Sequence, residues 1–164
     1  MTSIDPALDL TISRVIRAPR AAVWSAWTDP AQFEKWWIPA PAQCRVAAWD
    51  PKPGGAFRTL MSESGGPYEP HIDGCFLAVD DGERIVFTNS LVEGWRPAPQ
   101  LFMTAVITFT DHPDGTDYRA HVMHRNEEDR KMHEDYGFYD GWGTVIGQLA
   151  DLVEGQARPV ERNS

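Results

Sequence analysis

The sequence predicts an α+β domain: a curved antiparallel sheet of six or seven strands, two short helices after the first strand, and one long C-terminal helix lying on the sheet. Three observations carry this prediction. Apolar and polar residues alternate with a period of two in segments spread between Leu8 and His124, as half-buried strands require. Those segments are joined by turns rich in Asp and Gly, such as DPKPGG, DDGE and DHPDGT, which makes consecutive antiparallel pairing the economical topology. From Asn126 the apolar period lengthens to three or four residues and stays there, so the chain ends in an amphipathic helix.

The first strand is LDLTISRVIR, Leu8 to Arg17, with Leu8, Leu10 and Ile12 set against Asp9, Thr11 and Ser13. Pro19 ends it and suits a first helical turn, where its missing N–H would be unpaired in any case. Ala22, Val23, Ala26 and Trp27 then follow at helical spacing, and Thr28-Asp29-Pro30 stops one helix and caps the next, which places two short helices over 20–28 and 30–36. Strands follow in QCRVAAW, AFRTLM, CFLAV, RIVFTNS, LFMTAVITFT and DYRAHVMH. Asn126 caps the last helix, and Glu127, Glu128 and Asp129 in its first turn carry the sign that the helix dipole favours. Met132, Tyr136, Tyr139, Trp142, Ile146, Leu149 and Val153 form one continuous stripe, with Gly155 and Pro159 as its end. The resulting division is a single domain over 1–155 and a polar tail over 156–164.

The chain has 164 residues, of which 42% are hydrophobic and 24% charged, so it can bury a core without disulfide staples. Its net charge of −9 opposes nucleic acid, whose affinity for proteins comes largely from Lys and Arg. No apolar stretch reaches the roughly 20 residues that span a bilayer, and MTSIDPALDL lacks the basic-then-apolar order of a secretory signal. The expected location is cytoplasmic, with no membrane insertion. Cys44 and Cys75 are the only cysteines; with no neighbouring Cys or His at ligand spacing they read as reduced thiols and not as a metal site.

Several pieces of the sequence resemble the START-like, or SRPBCC, superfamily, and within it the group related to the C-terminal domain of activators of heat shock protein 90 ATPase. They are VIRAPRAAVWSAWTDPAQFEKWW (15–37), DPKPGGAFR (50–58), the strand around Gly74, RIVFT (84–88), DGT (114–116) and GWGTVIGQLADL (141–152). Each is weak alone, and their order and spacing are specific for the fold. The resemblance implies a helix-grip fold with an interior cavity and does not imply one reaction, since relatives carry lipids, bind hormones or cyclise polyketides. The heat shock protein activators carry a further domain before this one, whereas this chain starts almost at the first strand, so a chaperone partner is disfavoured. A homodimer is left open.

Strand alternation sorts the side chains that face the interior. Phe57, Thr59 and Met61 share one face of their strand, as do Ile85, Phe87 and Asn89, then Met103, Ala105, Ile107 and Phe109, then Tyr118, Ala120, Val122 and His124, with Arg119 and His121 outside. Trp27 and Trp37 from the short helices and Tyr136, Tyr139 and Trp142 from the long one complete the expected lining. Apolar walls with a few polar tips are the composition of a ligand pocket.

Catalytic signals are sparse. His121 and His124 point to opposite faces of one strand and cannot chelate one metal together. His71 and Asp73 in HID would share a face, where the carboxylate would raise the imidazole pKa. Neither a GxSxG nucleophile motif nor a phosphate-binding loop is present, and no cofactor is called for. His124, His71 and Asn89 are the only catalytic candidates. The leading reading is therefore a domain that binds a small hydrophobic or aromatic molecule in its interior. A cavity enzyme of the polyketide cyclase, dehydratase or hydrolase type is the alternative, and a chaperone-associated interaction domain comes second.

The stretch FEKWWIP, Phe33 to Pro39, sharpens one expectation. Adjacent helical residues point about 100° apart, so Trp36 and Trp37 cannot do the same job. Trp37 is assigned to the core or cavity wall, and Trp36 to the rim beside Lys35.

Overall fold

The computed structural model describes residues 3–157 of the chain. Strand β1 (Asp9–Ile16) leads to α1 (Arg20–Thr28) and α2 (Pro30–Phe33). Then come β2 (Gln43–Trp49), β3 (Ala56–Ser62), β4 (Glu69–Asp80) and β5 (Arg84–Thr88), a two-residue hairpin β6 (Leu91–Val92) and β7 (Arg96–Pro97), and the long hairpin β8 (Thr104–His112) and β9 (Gly115–Met123). Two helices close the chain, α3 (Glu127–Asp135) and α4 (Phe138–Ala157).

Seven strands form one antiparallel sheet in the order β1-β9-β8-β5-β4-β3-β2. The first strand joins the last one through a pairing that sets Leu10 opposite Val122 and Ile12 opposite Ala120. The remaining neighbours are almost all consecutive hairpins, as short turns enforce. The inner face presents Phe57, Phe87, Ala105, Ile107, Phe109, Tyr118, Ala120 and Val122, all buried, and α4 lays Ile146, Leu149, Ala150 and Val153 into the same core. This is the helix-grip architecture.

Local chemistry explains the elements before the site. Pro19 precedes α1, and the Asp29 carboxylate accepts the Ala31 N–H at 3.0 Å to cap α2, which has Pro30 in its first turn, a use of both residues that costs the helices no internal bond. Behind α2 the chain is held by one residue of α4: the Gln148 amide donates to the carbonyls of Trp36 and Ile38 and accepts the N–H of Ala40. That amide thereby supplies backbone partners to a segment outside regular structure.

The expected single C-terminal helix is two helices. The Tyr136 and Gly137 N–H groups turn back to Met132 and Glu134, and Gly137 has φ +95°, the left-handed conformation that ends helices and that only Gly adopts cheaply. The stripe read through this point is therefore broken: Tyr136 is 80% and Tyr139 48% exposed, and neither faces the interior. The helix also runs past Gly155 to Ala157. Pro159 and most of the proposed tail lie outside the described residues.

Trp36 is a second correction. It is 1% exposed and donates its indole N–H to the Ala26 carbonyl at 3.0 Å. The chain after α2 turns back under α1, and this places Trp36 against Trp27 and Phe33 instead of at a rim.

Glycines within α4 are open to test. A Cβ added to Gly143 would meet only the Ile12 Cδ1 atom at 3.7 Å, an ordinary contact. Gly143→Ala is expected to raise stability by up to about 1 kcal/mol in a urea melt, the helical advantage of Ala over Gly. A loss of stability would show that the helix needs the missing side chain at this point.

Candidate functional site

The middle of the grip is filled. Trp27, wholly buried, packs against Phe33, Trp36, Trp37, Phe57 and Phe87 with ring centroids 4.9–6.3 Å apart, and Trp49 closes the cluster against Phe33 and Phe57. The Trp27 indole N–H donates to the Tyr118 hydroxyl at 2.7 Å, and burial holds the Tyr118 phenol far above its ordinary pKa. Phe57, Phe87, Trp27 and Tyr118 thus act as core, and aromatic bulk fills the centre of the space expected between sheet and helix.

Beside this core lies a cavity of about 230 Å³ at the mouth, where α4 meets the sheet. Trp37, Trp142, Met103, Val145 and Ile72 form its apolar walls, Pro39 and Gly141 border it, and His71 and His133 supply imidazole edges. Trp37 and Trp142 meet edge to face at 5.9 Å. A Cβ built on Gly141 would touch nothing within 4 Å, so this glycine leaves part of the space free.

His133 is the residue that the sequence reading did not select. It lies on α3, and its Nδ1 is 2.9 Å from Nε2 of His124, whose Nδ1 is 2.8 Å from the Leu8 carbonyl oxygen. A carbonyl only accepts, so His124 Nδ1 carries a proton. In the neutral pair His124 Nε2 is then an acceptor, His133 Nδ1–H donates to it, and His133 Nε2 is left with a free lone pair. Burial, then the neighbouring His124, pulls the His133 pKa down to about 4, which keeps the imidazole neutral at physiological pH.

His71 differs from expectation. A register shift lies between Thr59 and Leu60, whose partners are Ile72 and Pro70, and it leaves His71 as the extra residue of a bulge beside a proline that has no N–H for the ladder. Its Nδ1 sits 3.0 Å from the buried Thr59 hydroxyl, which also accepts the Ile72 N–H. Asp73 instead faces Arg58 at 3.4 Å. With no carboxylate on the ring, partial desolvation lowers the His71 pKa, the opposite of the effect anticipated from the HID motif.

The other candidates separate. The Asn89 amide oxygen accepts the N–H groups of Phe102 and Met103, a backbone-capping role, and Asn89 and Tyr136 border a different, open depression with Phe102 and Met132. Tyr139 is on the surface, and Met61 is half-buried on β3 outside the mouth cavity. His121, expected outside the sheet, does lie on the outer side but is buried there by the N-terminal turn, 2.7 Å from the Asp9 carboxylate. Burial, then the charge of Glu34, pushes the Cys44 thiol up to about 12, which leaves it unreactive. Among the described residues no three His, Cys, Asp or Glu side chains converge as a metal site, and no helix is long and apolar enough to cross a membrane.

A seven-stranded sheet gripping a C-terminal helix, with a small apolar cavity at the mouth, defines a helix-grip domain of the START-like class. The chain belongs to the Activator of Hsp90 ATPase homolog 1-like protein family, whose model matches residues 17–154. A protein of known structure from Nitrosomonas europaea is 42% identical, with a TM-score of 0.85 over 93% of this chain and 98% of its own. One from Mycobacterium smegmatis is 28% identical, with a TM-score of 0.74 over 90% of this chain and 91% of its own. One from Chromobacterium violaceum is 26% identical, with a TM-score of 0.72 over 89% of this chain and 97% of its own. None of the curated proteins compared matches the chain.

Proposed function

We propose that this protein binds a small hydrophobic or aromatic molecule in the mouth cavity between the sheet and α4. The observation that supports this reading is the cavity itself: walls of Trp37, Trp142, Met103, Val145 and Ile72 with only imidazole edges as polar contacts, a composition typical of small-molecule sites. At about 230 Å³ the space falls below the range of roughly 300–1,000 Å³ usual for drug-sized ligands. One or two fused rings suit it better than a lipid chain or an extended polyketide.

Gly141 provides the test, because a larger side chain there would grow into open space of the cavity. Naphthalene, followed by ligand-observed NMR, is expected to bind the native protein saturably with one site. Gly141→Leu is expected to weaken binding at least about tenfold, the cost of one unfavourable contact of roughly 1.4 kcal/mol, with the far-UV circular dichroism unchanged. Binding that is unaffected by Gly141→Leu would place the ligand elsewhere, and no saturable binding would favour a protein partner over a small molecule.

A further inference from the structure

The open depression bordered by Asn89 has a volume of about 630 Å³ and shares no lining residue with the mouth cavity. Its apolar surface comes from Leu101, Phe102, Met132 and Tyr136. Leu101 is 46% and Tyr136 80% exposed, so a concave site leaves large apolar groups in water, as binding surfaces do. The Phe102 ring is held from behind by the rings of His124 and His133, at centroid distances of 5.6 and 4.7 Å.

Two polar groups border the same depression, and both are fixed by the protein. The Asn89 oxygen accepts the N–H groups of Phe102 and Met103 at 3.2 and 3.0 Å. A backbone N–H only donates, so the amide is locked in one orientation and its NH2 is turned away from these bonds. That NH2 has no acceptor among the described residues, and it is reachable, since the buried nitrogens without a partner are those of Trp37 and Trp49. Arg125 donates its Nε–H to the buried Asp129 carboxylate at 2.6 Å, and Asp129 is itself anchored through its N–H to the Asn126 side chain. Both Nη groups of the guanidinium are left as donors. Among the described residues no acidic side chain lines the depression.

We propose that this depression is a second binding site and that it takes a small aromatic carboxylate. The ring lies on Leu101, Phe102, Met132 and Tyr136, the carboxylate is held by the Arg125 Nη groups, and the Asn89 NH2 donates to an oxygen of the ligand. The available groups choose this chemistry. Both polar groups offer N–H donors and no acceptor, which excludes an amine or any other cation. The planar guanidinium fork matches a carboxylate, on which it can place two parallel hydrogen bonds. A phosphate dianion would meet only one cation, whose charge Asp129 already offsets. A neutral carbonyl would satisfy Asn89 but forgo the charge-assisted bonds of Arg125. For the body of the ligand, the Phe102 and Tyr136 rings and the Met132 thioether pack well on an aromatic face. This site does not depend on occupancy of the mouth cavity, and the mouth cavity does not depend on it.

Two probes of nearly equal shape, 2-naphthoate and its neutral counterpart 2-naphthamide, test the proposal by ligand-observed NMR. The native protein is expected to bind 2-naphthoate saturably and about tenfold or more tighter than 2-naphthamide, the effect of charge-assisted hydrogen bonds. Asn89→Asp keeps an acceptor for the Phe102 and Met103 N–H groups while replacing the NH2 donor by a negative charge, and should weaken 2-naphthoate at least about tenfold. Tyr136→Ala removes a side chain that is 80% exposed, so the urea melt should be unchanged while 2-naphthoate binding falls about threefold or more. Gly141→Leu, at the mouth cavity, should leave 2-naphthoate binding as it is. If 2-naphthoate is weakened by Gly141→Leu and not by Asn89→Asp or Tyr136→Ala, it occupies the mouth cavity and the second site is wrong. If the two probes bind alike, the carboxylate assignment is wrong. If 2-naphthoate does not bind saturably, this proposal falls, whether or not naphthalene binds in the mouth cavity.

Discussion

Trp36→Ala is expected to destabilise the protein by about 3–5 kcal/mol, the range for truncating a large core aromatic. Three observations set this magnitude. The side chain is 1% exposed; it meets Trp27, Phe33 and Trp37 at centroid distances of 5.6, 5.0 and 5.6 Å; and its N–H satisfies the Ala26 carbonyl at 3.0 Å. Truncation would therefore open a cavity and orphan a buried acceptor together. The neighbouring indole supplies the control, because Trp37 has no protein partner for its N–H. Trp37→Phe removes an unsatisfied donor while keeping a ring, and should change stability by less than about 1 kcal/mol. Urea melts of the two variants give the comparison, and a loss below about 1 kcal/mol for Trp36→Ala would contradict the packing described.

His121→Ala is expected to cost a similar amount, about 3–5 kcal/mol, for an electrostatic reason. The Asp9 and His121 side chains are 5% and 8% exposed and 2.7 Å apart. With the imidazole gone, the carboxylate keeps, among the described residues, the Asp5 N–H at 2.8 Å in a site that water barely reaches. Replacing both partners should cost much less than the single change, since Asp9→Leu with His121→Leu leaves no uncompensated charge. Equal losses in the single and double variants would mean that the effect is one of packing and not of a stranded charge.

These two predictions concern residues whose surroundings were misread from the sequence, and the reasons are physical. Alternation along β9 places His121 on the outer side of the sheet. It carries no information about the N-terminal turn that folds over the outer face and buries His121. Helical spacing separates Trp36 from Trp37 but does not say how the chain bends after Phe33, and that bend turns a presumed rim residue into core. Similarly, the stripe through Tyr136 and Tyr139 has the right period, and one left-handed residue, Gly137, rotates both tyrosines out of it.

The site shows the same division. Trp37, Met103 and Trp142, which the sequence expectation put around an interior space, border the mouth cavity. His133 was not legible, because its importance lies in its distance to His124, a residue just past the end of β9 reached across a chain reversal. Asn89 looked like a pocket donor since Asn is costly in a core. Its amide in fact caps two backbone N–H groups, a satisfaction that strand alternation cannot reveal.

By itself the sequence determined the α+β class, the antiparallel pairing and the two short helices, since these follow from periodicity, turn residues and helix breakers that act between near neighbours along the chain, while the resemblance to the family rested on the order and spacing of whole motifs. Only the tertiary structure decided that aromatic packing fills the centre of the grip, that a small cavity lies at its mouth, and that His133 meets His124 beside it. Packing and hydrogen-bond satisfaction depend on contacts between residues far apart in sequence, and no local pattern encodes which of those contacts are made and which are left open.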